Sequence, residues 1–524
     1  MKLLSAVLGS LLLIRGESMT AGDALPAMID EYDEYPLAPL PPAPGSDAVL
    51  PGAYWEFYRR QEEREEREER GVRLSSSSPP PPLRHDGHAS EGTYKNLVLL
   101  LRFADHDEED LPRREDILTL LNDDIGVDPA RPLEMEEGNE VNPTGSVREV
   151  FAINSHGALR FEGTVTEWIT LDHDEAHYAS DAEGTGQSGL SKSRFRDGIR
   201  EALGKLAADP EKYAPAGFDL DAFDYNAKDE LDGFGVLHSG HGAEYGGDEQ
   251  TARIWSHKSS GLKWAVPDSL LPARREEEGS GVRLRGGAAR QVNKFYVAAA
   301  LHGKDHTGML RFGVLVHEVG HSFGLPDLYD TSFAGKGIGK YDVMSTGNYG
   351  FDGTGYYPSS MSAWTKVYLG WAEAVEITED GTYTLEAASE GKHQVYKIAH
   401  GFPGGDKPEY ILLENRQPVG YDSTMEGGGI AIYHVDESKR KQKNPGYPGQ
   451  ESDDGEDFPA NNQHYRKFFD VVYFACFISL VLSQRYCATI CQWWPCSRPT
   501  GRTGWRRGRP TAPGGTCSGT RTAC

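Results

Sequence analysis

Residues 317–327, HEVGHSFGLPD, combine side chains that can bind a metal ion with one that can move a proton. His317 and His321 are four residues apart, so a helix would place both imidazoles on one face, where they can bind one ion. Glu318 would lie about 100° further round the helix, where it can take a proton from a water beside the ion. The spacing predicts a hydrolytic zinc site with His317 and His321 as ligands and Glu318 as general base.

The chain around this motif can form the required helix and then turn back towards the metal. Residues 311–323 are apolar on nearly all sides, as in a buried helix. Gly324 suits a left-handed cap, and Pro326 cannot continue the helix. The turn can bring back Asp327 as the third ligand, because a catalytic zinc keeps three protein ligands and one water. The alternative for Asp327 is a simple turn residue after the proline.

Other interpretations of the motif require different surroundings. Two histidines and a glutamate can be satisfied inside a core without an ion, and a structural zinc would need a fourth protein ligand that closes the site. A non-enzymatic, secreted or membrane-anchored binding module on a decayed peptidase fold is a further alternative. Gly324 at the eighth position, the apolar helix and the intact His317, Glu318 and His321 favour catalysis.

The motif and several other segments resemble a known family. Gly324 and Asp327 follow the extended metzincin pattern, His-Glu-x-x-His-x-x-Gly-x-x-His, with Asp in place of the last His, and Met344 supplies the expected Met-containing turn. Residues 325–330, LPDLYD, resemble the immune inhibitor A family of secreted zinc peptidases. Weaker segments resemble blocks of that family in the same order: 95–105, 145–151, 154–157, 254–257, 412–417 and 429–436.

The resemblance implies an α+β fold: a metzincin-like zinc peptidase domain, with a mixed sheet and an active-site helix, followed by a small β-rich domain. It implies Zn²⁺ held by His317 and His321, with Glu318 as general base in the hydrolysis of peptide bonds in protein or peptide substrates. Asp327 is expected as the third ligand from its position and from the affinity of carboxylate oxygens for zinc. An oxyanion-stabilising residue is not identified, because Thr346 stands where many metzincins have a tyrosine two residues after the Met. Four residues are considered for that role without being assigned: Tyr341, Tyr349, His257 and His302.

Composition limits the location and the partners. The chain has 524 residues and a formal net charge of −26, which argues against nucleic acid as a partner because a phosphate backbone requires basic patches. Residues 1–18 have the pattern of a signal peptide: a basic Lys2, an apolar core at 3–14 and a small-x-small site at 16–18. They predict a secreted, extracellular protein; a buried N-terminal helix is the alternative. The oligomeric state is not indicated.

Residues 19–92 are predicted to be a pro-segment and linker. They contain a Pro-rich stretch at 36–44, a run of Arg and Glu at 59–70 and a Ser/Pro stretch at 75–82. A cut between Arg70 and Arg84 would release a mature enzyme from a zymogen, whereas a passive spacer would have no such effect. The catalytic domain is expected over residues 93–375.

The hydrophobic pattern predicts strands in two regions. In the catalytic domain they lie at 97–103, 161–170 and 233–240, and in a β-rich domain over 376–467 they lie at 381–386, 394–398, 409–414 and 429–435. Four oxygen-bearing residues suggest a Ca²⁺ loop, although their spacing is not that of an EF-hand, and a polar surface turn is the alternative: Asp224, Asn226, Asp229 and Asp232.

The tail at 468–524 differs from the rest of the chain. All six cysteines lie at or after Cys476, and the apolar run at 468–483 is shorter than the roughly 20 residues of a membrane span. We interpret the tail as an aberrant segment, from a retained intron followed by a shifted frame. A membrane is not an expected partner unless 468–483 is a real C-terminal anchor.

Overall fold

The computed structural model describes residues 43, 91–106, 111–180, 194–223, 229–247, 250–270, 290–303, 308–329, 337–379, 381–389, 394–400, 409–436, 471–474 and 480–481. The chain divides into two compact units, residues 1–481 and 482–524, and the described residues all belong to the first. The predicted signal peptide lies outside the described residues, as do most of the predicted pro-segment and most of the tail.

The described strands are β1 Gly92–Arg102, β2 Leu159–Thr170, β3 Glu230–Leu231, β4 Phe234–His241, β5 His257–Ser259, β6 Trp264–Ala265, β7 Gln291–Val292, β8 Phe295–Leu301, β9 Glu373–Glu376, β10 Thr382–Tyr383, β11 Gln394–Ile398, β12 Glu409–Arg416, β13 Gly429–Asp436, β14 Val471–Phe474 and β15 Leu480–Val481.

The described α-helices are α1 Arg114–Asn122, α2 Val147–Asn154, α3 Glu175–Ala179, α4 Phe195–Ala208, α5 Pro210–Tyr213, α6 Phe312–Gly320 and α7 Ala363–Tyr368. The 3-10 turns are Leu220–Ala222, Ala243–Tyr245, Gln250–Ala252, Asp268–Leu270, His321–Phe323, Gly339–Tyr341 and Thr346–Tyr349.

The central sheet has the strand order β2-β1-β4-β8-β5. Its first four strands are parallel, and the short edge strand β5 runs antiparallel to β8. Strand β1 lies between β2 and β4, which explains its nearly continuous apolar run at 97–101, because a parallel strand in the middle of a sheet is covered on both faces.

The alternation of side chains along β1 divides the interior into two apolar clusters. Val98 and Leu100 face the cluster that contains helix α6, whereas Leu97, Leu99 and Leu101 face a second cluster that contains α4. Successive residues of a strand point to opposite faces, so one run of leucines serves both cores. The helix that carries the motif is therefore held on one face of this sheet.

A second sheet, β14-β13-β12-β11-β9, packs into the same cluster as α6. Its strands pair antiparallel except β9, which is parallel to β11. Tyr410, Leu412 and Tyr433 are buried and belong to the cluster that also contains Val316, on helix α6. The second sheet thus shares its core with the residues around the motif.

Several predicted elements are confirmed and others differ. Strand β11 has the predicted bounds, and the strands predicted at 161–170 and 233–240 coincide closely with β2 and β4. The strand predicted at 97–103 overlaps β1, which begins earlier, at Gly92. The strand predicted at 381–386 is only β10, which pairs with β15 outside the second sheet. Strand β9 was not predicted; its sequence, EAVE, is exposed at three of four positions and offers little apolar pattern. Among the described residues, no helix is both long and apolar enough to cross a bilayer.

Candidate active site

Helix α6 carries His317 and Glu318, and the 3-10 turn that follows it carries His321. The α-helix is shorter than the predicted 311–323, because its last turn tightens into the 3-10 form. Gly324 then adopts φ +77°, the left-handed conformation that the sequence predicted for it. This reversal lets the chain turn back along the helix, so that Asp327 lies beside the two histidines.

His317, His321 and Asp327 converge on one point. The Nε2 atoms of His317 and His321 are each 3.2 Å from Oδ1 of Asp327. One potential ligand atom from each residue lies within 4.8 Å of the others, and all three side chains are buried. The structure therefore brings the three predicted metal ligands together.

Backbone carbonyls orient both imidazoles. Nδ1 of His317 donates to the carbonyl of Val343 at 2.9 Å, and Nδ1 of His321 donates to the carbonyl of Leu325 at 2.8 Å. With the proton of each neutral ring on Nδ1, the lone pair is on Nε2, which faces Asp327. Such a donation to a carbonyl is the usual outer contact of a metal-binding histidine.

This arrangement fits a zinc ion. A tetrahedral ion about 2.0–2.1 Å from each ligand sets its ligands roughly 3.3 Å apart. The Asp327 oxygen lies 3.2 Å from each histidine nitrogen, which is close to this value. The buried Nε2 of His321 has no hydrogen-bond partner in the described part of the chain. Buried polar atoms are rarely left unsatisfied, and an ion between the three residues would satisfy this one.

The protonation states also suit a cation. Burial lowers the pKa of His321 and outweighs the opposing effect of Asp327, so the ring is neutral near pH 7. Burial would raise the pKa of Asp327, but positive charge and hydrogen-bond donors at the His321 and His317 rings lower it, so a cation between the three residues would favour the ionised carboxylate. Neutral imidazole and ionised carboxylate are the forms that bind metals.

Glu318 lies next to the three ligands in a protected position. Its side chain is only 1% exposed, and its Oε2 atom has no hydrogen-bond partner among the described residues. Burial raises the pKa of Glu318 well above its usual value, and the negative charges of Asp327 and Glu244 raise it further. A carboxyl with a raised pKa is a stronger base once ionised, as proton transfer near neutral pH requires.

Met344 lies directly against the helix. A Cβ built on Gly320 would stand 2.4 Å from Sδ of Met344, so glycine is what permits this close packing. Asp342, which is fully buried, accepts from the backbone N–H groups of Met344 and Ser362 at 2.7 Å each. The Met-containing turn is thus fixed by a buried carboxylate two residues before the methionine.

Two residues outside the motif also stabilise the site. Lys258, on β5, donates from Nζ to the carbonyl of His321 at 2.5 Å and so satisfies an acceptor at the end of the helix. Glu244 accepts from Oγ of Ser256 at 2.7 Å and is buried close enough to raise the pKa of Glu318. Sequence reasoning missed both, since neither occurs in a motif with a known spacing to the zinc helix.

Ala43, from the Pro-rich part of the predicted pro-segment, contacts this region. Its backbone N–H donates to the carbonyl of Glu244 at 2.9 Å, and its side chain is buried in the cluster that contains α6. At least one residue of the segment at 19–92 is therefore packed against the catalytic unit.

The candidates for oxyanion stabilisation are distributed around the core. Tyr349 is buried in the cluster of α6, and burial, Glu244 and Glu318 contribute to a raised pKa. Nδ1 of His302 is 2.8 Å from the hydroxyl of Tyr245. His257 packs edge-on against Phe295, in the cluster on the opposite face of the sheet, so the structure does not bring it to the three ligands. Thr346 and Tyr341 lie in the turns around Met344.

The predicted Ca²⁺ loop is only partly described. Asp224 and Asn226 lie outside the described residues, while Asp229 and Asp232 lie beside strand β3. Calcium binding here stays a prediction.

A family model identifies the chain. The model of the immune inhibitor A peptidase M6 catalytic domain matches residues 85–372, more than half of the sequence. The chain belongs to this family. It is thereby a member of a family of metalloendopeptidases, as the sequence resemblance indicated, and the second sheet lies beyond the matched residues.

Two M6 relatives show how far the similarity extends. Immune inhibitor A of Bacillus thuringiensis subsp. alesti is 27% identical over 312 residues, which cover 54% of this chain and 41% of the relative. The pre-pro-metalloprotease PrtV of Vibrio cholerae serotype O1 is 27% identical over 293 residues, which cover 53% of this chain and 30% of the relative. The chain thus spans less than half the length of either relative.

Proposed function

We propose that the chain is a secreted zinc-dependent endopeptidase with a metzincin-like catalytic domain and a β-rich C-terminal part. The observation that carries the proposal is the convergence of His317, His321 and Asp327 within 4.8 Å, next to the buried carboxyl of Glu318. Membership of the M6 family, with its metalloprotease relatives, supports the same reaction.

In this mechanism the three residues would hold Zn²⁺ through His317 Nε2, His321 Nε2 and an oxygen of Asp327. A bound zinc would polarise the scissile carbonyl and lower the pKa of a coordinated water to about 7. Glu318 accepts the proton of the attacking water and delivers it to the nitrogen of the leaving amine. Burial of Glu318 keeps bulk water from competing for that proton.

The M6 chain is also proposed to be a zymogen. The contact of Ala43 with Glu244 supports docking of the predicted pro-segment near the site. Limited proteolysis between Arg70 and Arg84 should raise the activity; unchanged activity after complete cleavage would favour the passive spacer.

The reaction is tested by zinc content and casein cleavage on the full chain. We expect one zinc per chain, activity that a chelator abolishes and zinc restores, and retention of zinc with loss of nearly all turnover in Glu318→Ala. Glu167→Gln, on the exposed side of β2, is the control and should behave as wild type.

Two results would contradict the proposal. Full activity in Glu318→Ala would refute the role of Glu318 as general base. Bound zinc without any cleavage, even after removal of residues 19–92, would favour the inactive binding module instead.

A further inference from the structure

The M6 family model ends at residue 372, yet a buried ionic cluster connects the second sheet to the turn that carries Met344. The cluster has two positive and two negative side chains, all at most 5% exposed: Lys366, Glu414, Arg416 and Asp422. Charges are rarely buried in this way unless each is paired and hydrogen-bonded. The balance of charge within the cluster meets that condition.

Arg416, near the end of β12, uses its guanidinium for several acceptors at once. It forms a fork with Asp422, with Nε 3.0 Å from Oδ2 and Nη2 2.7 Å from Oδ1. Nη1 donates to the carbonyl of Tyr341 at 2.8 Å, and Nη2 donates to the carbonyl of Ser360 at 3.2 Å. Asp422 in turn accepts from the N–H of Ser360 at 3.0 Å. The pair therefore binds two separate loops.

Both loops connect to the Met-containing turn, and one of them orients a proposed metal ligand. Tyr341 precedes Asp342, whose carboxylate accepts from the N–H of Met344. Val343 lies between Asp342 and Met344, and its carbonyl accepts a hydrogen bond from Nδ1 of His317. The carbonyl that Arg416 holds is thus two residues from the one that orients the His317 ring. On the other loop, Ser362 donates to the same Asp342 carboxylate.

We propose that Arg416 is a positioning residue for the metal site, and that the second sheet is therefore part of the catalytic machinery and not an appended module. Arg416 acts through the Met-containing turn. Its guanidinium holds the Tyr341 carbonyl, and the turn in consequence holds the Val343 carbonyl. The Val343 carbonyl then sets the direction of His317 Nε2. The inference rests on the proposed metal site and adds to it a required contribution from beyond residue 372.

The test replaces Arg416 with lysine in the full chain. Arg416→Lys keeps the charge of the cluster but loses the planar fork, so one ammonium group cannot bind Asp422 and both carbonyls together. Lys366→Arg is the matched control, because it also exchanges a cation within the cluster. Among the described residues, Lys366 Nζ donates to Glu414 and to neither of the loops at 341 and 360. Thermal unfolding of both variants measures the change in stability.

The readouts are the zinc dissociation constant, from competition with a chelator, and the visible spectrum of the Co²⁺-substituted protein. We expect Arg416→Lys to bind zinc about tenfold more weakly, with an altered Co²⁺ spectrum; this is the lower end of the roughly 10–100-fold effect of losing a direct contact to a metal ligand, because Arg416 acts through the turn. Lys366→Arg should keep the zinc dissociation constant within about twofold of wild type and leave the Co²⁺ spectrum unchanged, whatever its unfolding temperature.

Folded Arg416→Lys with unchanged affinity and spectrum would overturn the proposal, as would equal changes in Lys366→Arg. If Arg416→Lys does not fold, Asp422→Asn, which keeps the shape of the partner but weakens its hold on Arg416, gives the same two readouts and the same criteria. A wild-type chain that binds neither zinc nor Co²⁺ would instead refute the proposed function itself.

Discussion

The close contact between Gly320 and Met344 leads to a quantitative prediction. In Gly320→Ala the new Cβ would stand 2.4 Å from Sδ of Met344, 3.2 Å from its Cε and 3.5 Å from Cδ1 of Leu325. Ordinary contacts between such atoms are about 3.5–4.0 Å, so the sulfur must move by about 1 Å or more. Overpacking of this kind costs about 1–3 kcal/mol, and the better helix propensity of alanine returns about 0.5–1 kcal/mol. We expect a net loss of about 1–2 kcal/mol.

The assay is denaturant unfolding of four proteins: wild type, Gly320→Ala, Met344→Ala and the double variant. Because Met344→Ala removes the clashing atoms, Gly320→Ala should cost much less in that background, with a coupling energy of about 1 kcal/mol or more. Gly204→Ala is the control: Gly204 is an exposed residue inside α4 with nothing within 4 Å of the new Cβ, so it should stabilise by about 0.5–1 kcal/mol. A Gly320→Ala protein as stable as Gly204→Ala, or an equal cost in both backgrounds, would refute the packing that we describe.

Two further predictions concern pH and metal. Burial lowers the pKa of His257 to about 4. As the pH falls below 6.5, His257 is therefore protonated in the unfolded chain before it is protonated in the folded chain. This difference alone should lower the free energy of unfolding by about 2 kcal/mol between pH 7 and pH 5. Denaturant unfolding at the two pH values should show a smaller difference for His257→Gln than for wild type; an equal difference would argue against a neutral buried ring. Zinc at a thousand times its dissociation constant should add about 4 kcal/mol to the free energy of unfolding. A chelator should therefore lower the melting temperature of wild type but hardly that of His317→Ala. Equal shifts in the two proteins would show that the metal binds elsewhere.

Much of the catalytic helix could be predicted from the sequence because its signals are local. The apolar run before His317, the left-handed Gly324 and the break at Pro326 each act within a few residues. The position of Asp327 also follows from the length of this turn. Strands β1 and β4 were predictable for a similar reason, since continuous apolar runs are typical of covered parallel strands.

The supporting contacts could not be predicted because they join residues far apart in the chain. Arg416 is 75 residues from the Tyr341 carbonyl that it binds, and Lys258 is 63 residues from His321. No periodicity reports such pairs, and a charged residue in a strand is ordinarily expected to face solvent. Asp342 is the exception. Its carboxylate accepts from the backbone N–H two residues later, and an Asp in such a position is a local turn signal that the sequence does contain.

The most direct test of the central claim is a crystal structure of the full chain with anomalous diffraction measured above and below the zinc absorption edge. We predict one strong zinc peak about 2.0–2.2 Å from His317 Nε2, His321 Nε2 and an oxygen of Asp327, with Glu318 beside it and not bound to it. The absence of a zinc peak at this position would contradict the proposed catalytic site. A zinc peak with a fourth protein ligand in place of water would contradict it as well.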